Sequence, residues 1–409
     1  MRTMFDDYPK PPYPKSDAQA ALLASLRPLL PGIAARAAKH DLEGSFPHEN
    51  FDALRETGYF AAVVPAEYGG GGHGLTDIVL AQNLLAHVDA STAYAAGMHL
   101  MSVGQEAHGK TWPPALRERI FADVVSTGAL INSIASEPEL GSPQGGGRPE
   151  TTMTPDGPGR WRITGHKTYA TLSPVLDYFL TYVAVEDGSN ERARVAVHRD
   201  QPGIRVEETW DTMSLRATGS HDVFYDNVPV TDAEIMVRHP EGTAGLFAKE
   251  VATRRPAGGV AWFALLVSAA SLGVAEAARE YTVDFARNRK PGGYAEPIGK
   301  LPTVREKIGR IDTDLMAARA FLFETAEEWD TGPQELSPTY GTKVAATKTF
   351  VINHSISIVD QCMRVVGSQS LQRSDPLERY YRDVRGALTN PPIEARALEM
   401  IAAAALDTE

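Results

Sequence analysis

The hydrophobic period of this chain changes twice, and that constrains its fold more than any single residue does. From Asp17 to about Thr127 apolar residues recur at helical spacing, in segments such as Ala18 to Arg27, Asn50 to Thr57, Thr76 to Leu85 and Pro114 to Val125. From about Leu130 to Met236 the pattern becomes short alternating or apolar runs: Trp161 to Thr164, Tyr178 to Val185, Arg194 to Val197 and Val223 to Tyr225. Turn signals divide these runs at Pro155 to Gly159, Asp187 to Asn190 and Gln201 to Gly203. Helical spacing returns over Ala261 to Arg287, Val304 to Trp329, Tyr340 to Val366 and Ile393 to Ala405. Helices, strands and helices in separate blocks predict discrete domains rather than alternating βαβ units. The expected α+β organisation is a helical domain over 1–129, an antiparallel β-barrel or sandwich over 130–240 and a second helical domain over 241–409. A chain of 409 residues can bury a core in each.

Charge and cysteine content narrow the function classes. Forty Lys and Arg against 52 Asp and Glu leave a net charge of −12, which argues against nucleic acid or an anionic membrane as the main partner while allowing a local basic pocket. The single cysteine, Cys362, excludes an intramolecular disulfide, and none of the 11 histidines has zinc-ligand spacing, so no metal is expected. Met1 to Lys15 carries four prolines among charges and no apolar signal core, so a cytoplasmic location is expected. Gly258 to Ala275 has no charged residue and is long enough to span a bilayer, but its Gly, Ala and Ser content predicts a closely packed buried helix instead.

Two phosphate-binding patterns occur in the wrong context. Gly104 to Thr111 spells GxxxxGK[ST], yet no strand precedes it and Pro113-Pro114 interrupts the helix that should follow. Gly69, Gly71 and Gly74 satisfy GxGxxG after the strand-like Ala61 to Val64, but Pro65 to Tyr68 separates the run from the glycines and predicts a plain turn. No GxSxG elbow is present.

Six short motifs, in order, carry a resemblance that covers nearly the whole chain. They are Pro65-Ala66-Glu67-Tyr68-Gly69-Gly70, Ser136 to Ser142, Gly165-x-Lys167-x-Tyr169-x-Thr171, Leu215 to Ser220 with Val228-Pro229-Val230, Tyr294 to Ile298, and Tyr381 to Arg385. This set resembles the acyl-CoA dehydrogenase superfamily, flavoproteins with an N-terminal helical domain, a middle β-barrel and a C-terminal four-helix bundle. The resemblance implies FAD, a homodimer or homotetramer, an acyl thioester or related substrate, and an electron acceptor or flavin reductase as partner. It implies that Ser133, Ile134, Ala135, Ser136, Gly141 and Ser142 line the flavin, with Ser136 on the pyrimidine edge and Ser142 also near the substrate carbonyl. Tyr169, Ala170 and Thr171 follow on the next motif: Tyr169 would cover a face of the ring and Thr171 would donate to N5. Arg289, Gly367 and Ser368 stand where the family holds the adenine end of FAD from a neighbouring subunit. A reduced flavin carries electron density near N1 and C2=O, so short hydroxyl and backbone donors beside one aromatic suit it.

The pattern breaks at the base. Most members carry a glutamate shortly after the RDxR signature, where this chain has Pro391, and others carry it on an earlier helix, where this chain has Phe263. Neither accepts a proton, and a general base supplies about 10²–10⁴ in rate. Glu394 is the nearest carboxylate, and it also reads as a first-turn helix acid. Asn390 occupies a position where related monooxygenases carry histidine, and His99 lies on the predicted helix Thr92 to Val103. Three functions follow: an FAD-dependent oxidoreductase acting on the CH-CH group of an acyl thioester, with an atypical base; a monooxygenase of the same fold using reduced flavin and O₂; or a noncatalytic thioester-binding member. The first is the primary expectation.

Overall fold

The computed structural model describes residues 13–139, 147–240, 258–332 and 340–407; Gly141 and Ser142 lie outside the described residues. The first block is helical: α1 (Asp17–Leu26), α2 (Leu30–Glu43), α3 (His48–Glu56), α4 (Leu75–Ala86), α5 (Ala90–Gly109) and α6 (Pro114–Thr127). Ser16 caps α1 by accepting from the Gln19 N–H, and Asp89 caps α5 by accepting from Thr92. Helices α4 and α5 are buried on almost every face, as their low polarity requires.

Both phosphate-like patterns have structural explanations. The first backbone N–H groups of α4, from Leu75 and Thr76, donate to the Asp330 carboxylate at 2.9 and 2.7 Å. A carboxylate from the C-terminal block thus occupies the donors that a pyrophosphate would need. The strand-like run Ala61 to Val64 is no strand. It is a 3₁₀ turn and a bend, folded back so that Gly71 donates to the Ala61 carbonyl and His73 to the Ala62 carbonyl; burial of Ala62, Val63 and Val64 explains its apolar character. Gly104 to Thr111 closes the C-terminal turn of α5, the negative end of the helix dipole. Gly104 is there for packing: a Cβ would lie 2.7 Å from the Trp262 ring.

The middle block holds β1 (Ile131–Ile134), β2 (Thr152–Pro155), β3 (Arg160–Ala170), β4 (Tyr178–Val185), β5 (Glu191–His198), β6 (Ile204–Glu207), β7 (His221–Thr231) and β8 (Ile235–Pro240). The sheet runs β6-β7-β3-β2-β4-β5-β8, with β1 also on β4. Most pairs are antiparallel, as expected, but β1 and β2 both join β4 in parallel, β1 along its first half and β2 at its end. Neither enters through a hairpin, so neither is obliged to run antiparallel. A register shift between Lys167 and Ala170 bulges β3, and Tyr169 there takes φ +55. The bulge re-aims its ring, which is 66% exposed.

Helices return as α7 (Gly258–Asn288), α8 (Pro302–Thr331), α9 (Tyr340–Val366), α10 (Pro376–Asp383) and α11 (Glu394–Leu406). The stretch Val260–Asn288 is long and apolar enough to cross a membrane, but 89% of its most apolar window is buried inside the protein. It packs against α4, α5, α8 and α9.

Candidate functional site

Where the end of α5, the start of α7, the sheet and the loop after α10 meet, they enclose a cavity of about 1330 Å³. Its sheet-side wall brings together Ser133, Ala135, Ser136, Tyr169 and Thr171, five residues within or just before two separate motifs. Two contacts hold those motifs in register. The Thr168 N–H donates to the Ser136 carbonyl at 3.0 Å, and the Lys167 ammonium donates to Glu137 at 2.6 Å, with both side chains removed from solvent. Glu137 also accepts from the backbone of Glu150 and Thr151. Burial alone would raise its carboxyl, but Lys167 and these donors hold it below the ordinary glutamate value. Burial pushes Lys167 down to about 8, against the opposing pull of Glu137.

Thr171 begins a chain of hydroxyls. Its Oγ1 lies 2.8 Å from Ser220 Oγ, which lies 2.7 Å from Thr218 Oγ1, and Thr218 donates to the Leu215 carbonyl. Asn132 fixes the Thr171 carbonyl at 2.9 Å. Beside them the Tyr169 ring meets Trp210 edge to face at 5.8 Å. An exposed aromatic next to hydroxyl and backbone donors is a surface that suits a planar, hydrogen-bonding heterocycle such as isoalloxazine.

Ile134 and Ala170, also expected at the cofactor, have fully buried side chains off the cavity wall, so only their backbone can serve it. Arg289, Gly367 and Ser368 are exposed and lie away from this cavity.

The opposite wall carries the positions where a base was sought. Phe263, Asn390 and Pro391 all line the cavity. Asn390 donates to the Tyr94 hydroxyl at 2.9 Å. Burial raises the Tyr94 phenol, partly offset by that bond, so it stays protonated with its own hydrogen available as a donor. Glu394 does not reach the cavity; it is exposed at the start of α11 and accepts from Asn353 at 2.6 Å. His99 lies behind the wall, fully buried, with Nε2 donating to the Phe60 carbonyl and Nδ1 accepting from Ile131. Both ring nitrogens are therefore engaged. Among the described lining residues the one carboxylate is Glu106. Its oxygens accept from the Thr111 N–H and hydroxyl, the Trp112 N–H and Arg117, which leaves it structural. Tyr94, Trp210, Ser220 and Arg194 were not singled out from sequence; Ser220 alone had a signal, its place in the Leu215 to Ser220 motif.

Three family models match in order: acyl-CoA dehydrogenase N-terminal domain over residues 16–125, middle domain over 133–228 and C-terminal domain over 265–389. The chain belongs to the acyl-CoA dehydrogenase family. Its fold is that of a family of flavin-dependent oxidoreductases. Within the family it is 40% identical to the "Putative acyl-CoA dehydrogenase YdbM" of Bacillus subtilis, over 91% of this chain and 93% of that one. It is 30% identical to the L-evernosamine nitrososynthase of a Micromonospora species, over 96% and 91%. The solved structure of KijD3 with FMN and a dTDP-amino-keto sugar superposes with a TM-score of 0.83 at 29% identity, over 97% and 95%.

Proposed function

We propose that this family member is a flavin-dependent monooxygenase acting on a small substrate with reduced flavin and O₂. The observation that carries this reading is the lining of the cavity: Pro391 and Phe263 stand where a base would be, and Glu106, the one described lining carboxylate, is already engaged by Thr111, Trp112 and Arg117. Removal of an α-proton needs a base within reach of the substrate, whereas oxygenation needs a shielded pocket and polar groups that orient the substrate. Met98, Met101, Trp262 and Phe263 provide the shielding. The Tyr94–Asn390 pair provides the orientation, through a phenol that remains a donor.

Ser133, Ala135, Ser136, Tyr169 and Thr171 would hold the flavin. When bound, it would supply the two electrons that let one oxygen atom enter the substrate while the other leaves as water. The KijD3 complex supports FMN in place of the FAD that the motifs imply, and titration with each flavin tests that choice.

The deciding experiment compares two conditions. Anaerobic titration of the flavin-loaded protein with a panel of acyl-CoAs should leave the visible flavin band intact. With a flavin reductase, NADH and O₂, amino sugar nucleotides and small aromatic heterocycles should be screened for oxygenated product. Bleaching by any acyl-CoA would overturn the monooxygenase reading in favour of the dehydrogenase that the name of the Bacillus subtilis relative supports.

A further inference from the structure

Arg194, on β5, stands on the cavity wall. Its Nε is buried without a hydrogen-bond partner, and no carboxylate among the described residues compensates its charge. The neighbouring arginines each make at least one hydrogen bond. Arg192 donates to the Tyr182 hydroxyl at 3.4 Å, Arg199 to the Leu176 and Ser173 carbonyls, and Arg238 to Glu191 and Asp187 at 2.6 and 2.7 Å. Burial pushes the Arg194 guanidinium down to about 10, the direction expected of a cation that has lost water without gaining a counter-charge.

The other described lysine and arginine side chains on the cavity wall have carboxylate partners: Lys110 lies 3.7 Å from Glu67, Arg238 is held by Glu191 and Asp187, and Arg385 lies 2.8 Å from Asp360. Arg194 is therefore the uncompensated cation among the described lining residues, and an uncompensated charge in a concave site draws in a ligand of the opposite sign.

We infer that Arg194 anchors a phosphate group of the ligand that fills this cavity. The planar fork of a guanidinium matches phosphate oxygens two at a time, and an anion there would supply the missing counter-charge. The inference rests on the proposal that the cavity holds the reactants, but not on which reaction follows. The phosphate can come from the flavin or from a phosphorylated substrate, and the test separates these sources.

Wild type, Arg194→Met and Arg194→Lys would be titrated by calorimetry with FMN, riboflavin, coenzyme A and inorganic pyrophosphate, and melted without ligand. Arg194→Met should bind at least one of the phosphorylated ligands more than tenfold more weakly, bind riboflavin unchanged, and melt no lower than wild type, because an uncompensated charge has been removed. Arg194→Lys should fall between. A loss confined to FMN assigns the flavin's phosphate, and a loss confined to coenzyme A and pyrophosphate assigns the substrate's; both support the inference. Unchanged affinity for all phosphorylated ligands overturns it. So does a parallel loss of riboflavin and FMN with a lower melting point, the mark of a structural arginine. These are binding and melting measurements, so their failure is distinct from a failure to detect oxygenation.

Discussion

The backbone N–H of Leu215 donates to the Asp383 carboxylate at 2.8 Å, tying the sheet block to α10 beside the cavity. Next to it, Arg382 grips Asp41 of α2 with two bonds of 2.8 and 2.6 Å. The late Arg-Asp-x-Arg motif is thus a structural junction where all three blocks of the chain meet, and Leu215 and Gly386 carry it to the cavity wall.

That junction titrates. Burial pushes the Asp383 carboxyl up to about 7, against the Leu215 donor. The folded protein therefore holds a proton that the unfolded chain releases near the ordinary aspartate value. Between about pH 4 and 7 this group should lower stability as pH rises, by at most about 1.4 kcal/mol per pH unit, with no further change above. Asp383→Asn should abolish that slope. Melting temperatures of both proteins across the window check it, and parallel curves would show that the carboxyl titrates normally.

His99 should act in the opposite sense. Burial pushes its imidazole down to about 4, against the Phe60 bond, so the unfolded chain takes up a proton first. Its contribution is complete above about pH 6.5 and is lost as pH falls from there through 4. The two slopes oppose each other below pH 6.5, and the wild-type curve conceals both. His99→Gln should melt with a weaker acid dependence than wild type; an identical dependence would mean that the ring is already charged in the fold.

Removing the ammonium of Lys167 strands Glu137 as a buried charge. Lys167→Met should cost about 3–5 kcal/mol in denaturant unfolding, and the double variant with Glu137→Leu should recover part of that. Because the pair holds Ser136 against Thr168, the single variant should also weaken flavin binding. Intact flavin affinity in a destabilised protein would show that the pair supports the fold without positioning the wall.

Tyr94→Phe removes the phenol donor but keeps the ring. With flavin affinity unchanged, KM for the substrate should rise about tenfold, as expected for one lost hydrogen bond to a buried polar group. A fall in flavin affinity instead would place Tyr94 at the cofactor.

The blocks of helix and strand were legible because hydrophobic period follows local backbone geometry; Tyr340–Val366 is the helix that its spacing predicts. Ala61 to Val64 misled because an apolar run marks burial, and a buried bend satisfies it as well as a strand does. That Ser136, Tyr169 and Thr171 share a wall was carried by motif order, since their meeting depends on the long-range Glu137–Lys167 pair. Arg194 gave no warning. Alternation places it opposite Ala193 and Val195, which reads as a solvent face; only the closure of the cavity over β5 makes that face interior.

The hydroxyl chain sets a direction that the motif alone did not. With Thr218 donating to the Leu215 carbonyl, Ser220 must donate to Thr218 and Thr171 to Ser220, so Thr171 presents lone pairs to the cavity. In the proposed binding mode it then accepts from N5–H of a reduced flavin rather than donating to the oxidised ring, and so favours the reduced state. Ser220→Ala frees the Thr171 hydrogen to donate to oxidised N5. The flavin midpoint potential should fall by about 20–30 mV, the equivalent of roughly 1 kcal/mol for a two-electron couple. Thr171→Val, which removes both roles, should lie between wild type and Ser220→Ala. A rise in potential on Ser220→Ala would mean that the chain runs the other way, with Thr171 as donor from the start.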